Sequence, residues 1–207
     1  MSQLVLVSDT LSSPAAAGQI EYSSPIFAAT PIGTQRGIVP TQQYYRLDSA
    51  YLGSNATGAQ SLFGVGVTLS SSTVYEFEIV VDLSRSAGTT SHTIALGFAG
   101  TATVNNILYD GFTNQLASAT PSGTSTSASS FVGNSTAATV LTAAITTNNT
   151  NYFSIKGTVS INVGGTFIPQ YTLSAAAGGA YSTIAGSYIR INPLSASGAA
   201  TNVGTWS

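Results

Sequence analysis

No cysteine occurs anywhere in the chain, so neither a disulfide framework nor a thiolate metal site can hold it together. Charge is nearly as scarce. Five Lys and Arg and seven Asp and Glu make up 6% of 207 residues, against roughly 25% in an ordinary globular protein. With a net charge of -2 and no basic cluster, nothing suits a phosphate backbone, and nucleic acid is excluded as a partner. Long apolar runs are missing too. No stretch approaches the ~20 apolar residues of a membrane helix, so no membrane partner is expected. The opening "MSQLVLVSDTLSS" has no basic leader, and its apolar run ends at Ser8. A secretory peptide wants an apolar region of roughly 7–15 residues, so the expectation is a protein made in a cytoplasm and not exported from it.

Scarce charge has a consequence for the surface. A chain of 21.0 kDa folds to ~9,000 Å² of surface, or one charge per roughly 750 Å², about one partner's share of a standard interface. Solubility then rests on Ser, Thr, Asn and Gln, or the surface is covered by copies of the chain. A mean hydropathy of +0.26 favours the second. The Ser/Thr/Gly-rich character is that of an exterior protein. Virion proteins, which assemble inside a cell and work outside it, reconcile the two.

What is present is β pattern almost throughout. "STVYEFEIVVDL" puts Tyr75, Phe77, Ile79, Val81 and Leu83 on one face and Glu76, Glu78 and Asp82 on the other. "SHTIALGFAG", "QSLFGVGVTL", "TQQYYRLDSAYL", "NYFSIKG" and "AGSYIRINPL" read as further strands between Gly, Asn and Ser punctuation. In "KGTVSINVGGTFIPQYTL", residues 156–173, alternation on both sides of the glycines predicts a hairpin. A three-residue loop, Val163-Gly164-Gly165, sets Phe167 beside Ile161 in the core and turns Ile168 outward. Pro169 cannot donate a ladder hydrogen bond, which predicts an edge strand or a bulge there. No apolar period of 3.6 is sustained. The length suits one large β domain. The expected fold is therefore all-β: a single antiparallel β-sandwich of jelly-roll type with about eight to ten strands. Residues 1–17 read as a short arm, residues 18–207 as the jelly roll, and residues 116–138, of low complexity, as a long exposed loop.

The chemistry reads mostly as exclusions. His92 is the one histidine, and on the apolar side of a strand it reads as structural. A Ser-His-Asp triad would have to run through it, without a G-x-S-x-G elbow. Glu76 and Glu78, ~7 Å apart on one strand face, approach the carboxylate separation of inverting glycosidases, but such pairs commonly mark a solvated face. No D-x-D-x-D calcium loop exists. The sequons in "GSNATG" and "GNSTAA" carry no meaning without a secretory signal. Catalytic residues, metal ligands and cofactors are all expected to be none. Arg36 and Arg190, scarce charges within apolar strands, read either as bonds to a neighbouring subunit or as bonds within the chain.

Several segments carry a resemblance: "AGQIEYSSPIF", "RGIVP", "VYEFEIVVDL", "IALGFAGTAT", "FSIKGTVSINVGGTFIPQYTL", "AGSYIRINPL" and "TNVGTWS". Their order, over about residues 17–207, is similar to a domain of tailed-bacteriophage structural proteins from marine and freshwater phages, cyanophages included. "EYSS" departs from the family, which more often has an acidic residue and glycine after the tyrosine. In pattern, the last strands also resemble trimeric jelly rolls of the complement-head and tumour-necrosis-factor kind. The resemblance implies a non-enzymatic virion structural protein, assembled in the host cytoplasm, that decorates or cements the capsid. The alternative is a tail-fibre adhesin that reads host surface glycans through Tyr44, Tyr45 and Trp206. Expected partners are further copies of the chain, a trimer by preference, and the major capsid protein or another virion protein. Expected contact residues are Leu4 and Leu6 of the arm, Ile168, Tyr188, Arg190 and Trp206.

Overall fold

The computed structural model describes residues 6–85, 87–116, 125–146, 150–198, 200 and 202–206. Three short strands come first: β1 (Ile20–Ser23), β2 (Ile26–Ala29) and β3 (Gly37–Val39), which make a sheet of their own. Then follow β4 (Gln43–Arg46), β5 (Tyr51–Leu52), β6 (Gln60–Ser61), β7 (Val67–Leu69), β8 (Thr73–Ser84) and β9 (Ile94–Ala99). The rest are β10 (Thr103–Leu116), β11 (Ser125–Gly133), β12 (Thr139–Val140), β13 (Thr150–Val163), β14 (Gly165–Leu173), β15 (Ser182–Thr183) and β16 (Tyr188–Ala196). All pairings are antiparallel, and no helix occurs among the described residues.

Strand order shows the expected jelly roll. In the large sheet β4 pairs with β16, β16 with β8, and β8 with β13. In the small sheet β6 and β7 flank β14, β14 pairs with β9, and β9 with β12. With β6 and β7 as one interrupted strand beside β14, these two four-stranded layers have the double Greek key order of a jelly roll. A hairpin, β10 and β11, is inserted between β9 and β12 and extends the large sheet beyond β13. The body thus has the eight jelly-roll strands and two more, with β5 and β15 continuing β4 and β16 at one end.

β8 forms because its aromatic and branched side chains fit one pleated, buried face. Tyr75, Phe77, Ile79, Val81 and Leu83 are all at most 3% exposed. Opposite them the small sheet supplies Phe98 and Phe167, whose rings stack at 4.9 Å, with Phe77 at 5.6 Å and Tyr109 at 5.3 Å from Phe98. Each such ring contributes roughly 1.5–3 kcal/mol on burial. Gly157 lies between Phe77 and Tyr109 on neighbouring strands. A Cβ there would fall 2.8 Å from Phe77 Cζ and 2.6 Å from Tyr109 Cβ, so the aromatic layer requires glycine.

Three expectations need correction. Residues 155–173 are not a hairpin: β13 pairs with β8 and β10, and β14 joins the other sheet, with Gly164 between them. Both edges of β13 are already taken, so the chain has to cross. The facing is nonetheless as expected, with Phe167 1% exposed and Ile168 only half-buried. Either topology needs Ile161 and Phe167 pointing inward, and alternation cannot tell them apart. Val163, expected in the hairpin loop, is the last residue of β13 and is 54% exposed. Second, β14 is not an edge strand. It runs between β9 and the β6–β7 pair, and Pro169 sits where the register jumps from Phe167↔Val67 to Gln170↔Ser61. The break the proline predicts lies in its partner. Third, residues 125–133 are not loop but β11, in continuous register with β10 from Tyr109↔Gly133 to Gln115↔Ser127. Ladder bonds need only backbone, so Ser-, Thr- and Ala-rich sequence supplies them. Residues 117–124 lie outside the described residues.

Candidate functional site on the outer face of the large sheet

The two layers bury one face of each sheet, which leaves the outer face of the large sheet to water. Six strands bring their outward residues into rows there. One row runs Val132, Asp110, Lys156, Glu78, Arg190, Tyr44, from β11 across β10, β13, β8 and β16 to β4. Its four central members alternate in sign. The next row is Ser130, Phe112, Ser154, Val80, Tyr188, Arg46, and on the other side stand Leu108, Thr158, Glu76 and Asn192. With Asp82, also on the outer side of β8, seven of the chain's twelve formal charges lie on this face.

Glu78 is the hub. Its carboxylate accepts from Tyr188 Oη at 2.6 Å and from Arg190 Nη2 at 2.7 Å, and Lys156 Nζ stands at 3.9 Å. Burial pushes its pKa up, since its side chain is only 12% exposed. The Tyr188 and Arg190 hydrogen bonds and the charges of Arg190 and Lys156 outweigh this and hold the carboxyl below its ordinary value. The same bond, before burial, pushes the Tyr188 hydroxyl up to about 12. Asp110, at the end of the alternating series, is exposed and has no ion-pair partner among the described residues. Lys156 is 71% exposed along its side chain. Leu108, Phe112, Val132 and Tyr44 add apolar area, at 57, 45, 68 and 55% exposure.

Of the contact residues expected from sequence, Tyr188 and Arg190 meet here, through Glu78. The others lie elsewhere. Ile168 is half-buried on β14 against Gly66. Leu6 is exposed on the arm, whose residues 8–12 are bonded to β1 of their own chain: the Asp9 amide to Tyr22 O at 3.0 Å, and the Ser12 amide to Glu21 at 2.7 Å. Arg36 completes that knot by donating to Glu21 at 2.8 Å, so this scarce cation is bonded within the chain. Trp206, 79% exposed, caps the C-terminal turn by donating to Val203 O. Leu4 lies outside the described residues. Sequence reasoning missed Asp110, Lys156, Phe112 and Val132. Each sits at an outward position of an alternating strand, but only the register across strands makes a row of them.

Two further features bear on chemistry. At one end of the sandwich Arg85, 2% exposed, donates to the carbonyls of Ala87, Gly88 and Ala177 at 3.1, 2.9 and 2.7 Å and lies over the Tyr181 ring. His92 Nδ1 is 2.8 Å from Thr90 O, so it donates there, and Nε2 accepts from the Tyr181 hydroxyl at 2.8 Å. Burial first, and the Arg85 charge, lower its pKa against the pull of the Thr90 bond, and the ring stays neutral at pH 7. The lone histidine is thus structural. Between β4 and β7, at the open edge of the sandwich, is a cavity of about 410 Å³ whose walls include Tyr44, Tyr45, Phe63, Val67, Phe167 and Ile191. Among the described residues no three His, Cys, Asp or Glu side chains gather as a metal site, and no helix is long and apolar enough to cross a membrane.

No family model matches the chain, and no curated protein matches it. A solved structure titled "Structure of infectious bursal disease virus Gx strain" is similar over 84% of this chain and 47% of that one, at 11% identity and a TM-score of 0.19. The chain therefore spans about half of that chain's length.

Proposed function

We propose that the protein is a non-enzymatic structural component of a virion, most simply a tailed-phage particle, that decorates or cements the capsid surface as a homo-oligomer. One observation carries the reading: a chain with only twelve formal charges whose surface leaves Phe112, Leu108, Val132, Leu52, Ile20 and Trp206 exposed between 45 and 79%. Apolar area of this kind on a jelly-roll body belongs against other protein. The phage-like segments of the sequence point the same way. The test is addition of the purified chain to particles stripped of it. Co-sedimentation with a raised disassembly temperature supports cementing. Absence of binding overturns it.

A second reading has the cavity between β4 and β7 behind it. An apolar cavity of about 410 Å³ with Tyr44, Tyr45 and Gln43 at its wall is of ligand-binding size. A stacked sugar ring would suit Tyr45, whose ring lies beside Phe63 on this side, with Tyr44 at the rim against Tyr188. An adhesin would bind host surface polysaccharide and lose that binding on Tyr44→Ala or Tyr45→Ala. Undiminished binding by both variants would remove this reading.

A further inference from the structure

The alternating row has a symmetry that a cross-strand network alone does not need. Read across the sheet, Asp110, Lys156, Glu78 and Arg190 run negative, positive, negative, positive, and the midpoint falls between β13 and β8. We propose that this face closes on the same face of a second copy, about a two-fold axis lying along the strands between β13 and β8. Such an axis reverses the order of the row while preserving height along the strands. Asp110 then faces Arg190 of the other copy, and Lys156 faces Glu78. Every charge meets its opposite, twice over, as an isologous interface requires.

The same operation also pairs the ends of the row and the neighbouring rows, where it sets Leu108 against Asn192 and Ser154 against Val80. At the ends of the charged row Val132 faces Tyr44, both more than half exposed, and in the next row Phe112 faces Tyr188, ring to ring. Thr158 faces Glu76, a hydroxyl against a carboxylate. An axis along the row instead would set like charge on like. Any axis normal to the sheet, a three-fold included, leaves the face open. The occupant is one further copy of the chain.

Area agrees. Six strands at ~4.8 Å spacing and about nine residues at ~3.3 Å rise give a face of roughly 850 Å², close to the ~800 Å² that each partner gives a standard interface. Two twisted sheets stacked with strands nearly aligned, ~10 Å apart, are an ordinary packing. The network within the chain leaves charge to spare. Asp110 has no ionic partner among the described residues, and Lys156 reaches Glu78 only at 3.9 Å. The inference deepens the homo-oligomer reading above by naming its surface, but it does not depend on the virion role. A chain that stays monomeric yet binds particles defeats this inference and the homo-oligomer with it, and leaves the cementing role standing. A two-fold dimer that binds no particle defeats only the other.

Sedimentation of the purified chain at micromolar concentration is the first measurement, with a dimer expected. Asp110→Arg, at an exposed position with no ion-pair partner among the described residues, sets Arg against Arg twice and should weaken the dimer roughly tenfold or more. Arg190→Asp sets Asp against Asp with the same result. Mixing the two variants is the decisive arm, because each heterodimer restores both contacts and should associate close to the unsubstituted level. Circular dichroism confirms that each variant folds. A monomeric or trimeric unsubstituted chain, a dimer indifferent to Asp110→Arg, or a mixture no tighter than its components would each overturn the proposal.

Discussion

Glu78 and Asp82 stand four residues apart on the same strand and the same outward side, and their surroundings are opposite. Glu78, at mid-sheet, is met by a hydroxyl, a guanidinium and an ammonium. Asp82 lies at the strand's end, where its backbone bonds to Ser187 and Ile184 but its Oδ1 is buried without a partner among the described residues. Just beyond it, Arg85 is buried among neutral carbonyls. The middle of the face gathers charge into pairs that remain wettable, and the end takes charge into the protein. There Arg85 is met by carbonyl dipoles, and Asp82 Oδ1 is not met among the described residues. In a chain with so few charges, position along one strand decides whether a charge serves a surface or a core.

Substitutions can break that comparison at several strengths, and the largest effect belongs to Arg85. Arg85→Met leaves three carbonyls short of a donor in a dry site, at about 1–3 kcal/mol each when unsatisfied. Partial relaxation brings the expected loss to about 3–5 kcal/mol, and thermal unfolding should fall by roughly 10 °C. A loss below ~1 kcal/mol would mean the end of the sandwich is wet, and the contrast with Glu78 would disappear.

Tyr181→Phe should cost less, about 1–2 kcal/mol, because it removes the hydroxyl that satisfies His92 Nε2 while the ring keeps its place over Arg85. Imidazole NMR shifts would follow the loss of that bond. An unchanged ring and an unchanged melting point would show that the buried cluster is not held through this hydroxyl.

How much of this could be read in advance depends on whether one strand or several carry the information. The buried face of β8, Tyr75 to Leu83, and the inward turn of Phe167 follow from period two within a single segment. The crossing at Gly164 does not, since it depends on β10 and β8 having filled both edges of β13. Residues 125–133 have no apolar alternation to announce a strand, and only the edge offered by β10 makes them one. Tyr188 and Arg190 stand out in sequence as aromatic and cation at alternate positions. The carboxylate they share lies more than a hundred residues earlier, and Asp110 and Lys156 join it only through the register of four strands.

Asp82 gives a prediction with its own sign. Burial raises its carboxyl above the ordinary 3.8, so the folded state disfavours the ionised form. A raised folded pKa means stability present below the unfolded value and lost as pH rises through the folded one. Asp82→Asn should therefore stabilise the protein at neutral pH by about 1 kcal/mol and have almost no effect below pH 3.8. Urea unfolding at the two pH values is the measurement. Destabilisation at neutral pH would reveal a partner for the carboxylate and make the two acids of β8 alike.

The smallest effect is expected at Glu78, and it runs the other way with pH. Its folded carboxyl is depressed below the ordinary 4.5, so its contribution is present above that value and is lost as pH falls through the lower folded one. Glu78→Gln keeps a carbonyl oxygen for Tyr188 and Arg190 and removes only the charge. Arg190 and Lys156 are 46 and 71% exposed along their side chains, and water and salt screen such pairs. The loss for the monomer should stay under ~1 kcal/mol at neutral pH, shrink further in high salt, and vanish at acid pH, where Asp82→Asn also falls silent. The two unfolding curves would then approach the parent from opposite sides as pH drops. A cost of several kcal/mol at Glu78 would place it with Arg85, as a buried charge on which the fold depends, and would take the outer face of β8 out of the solvent.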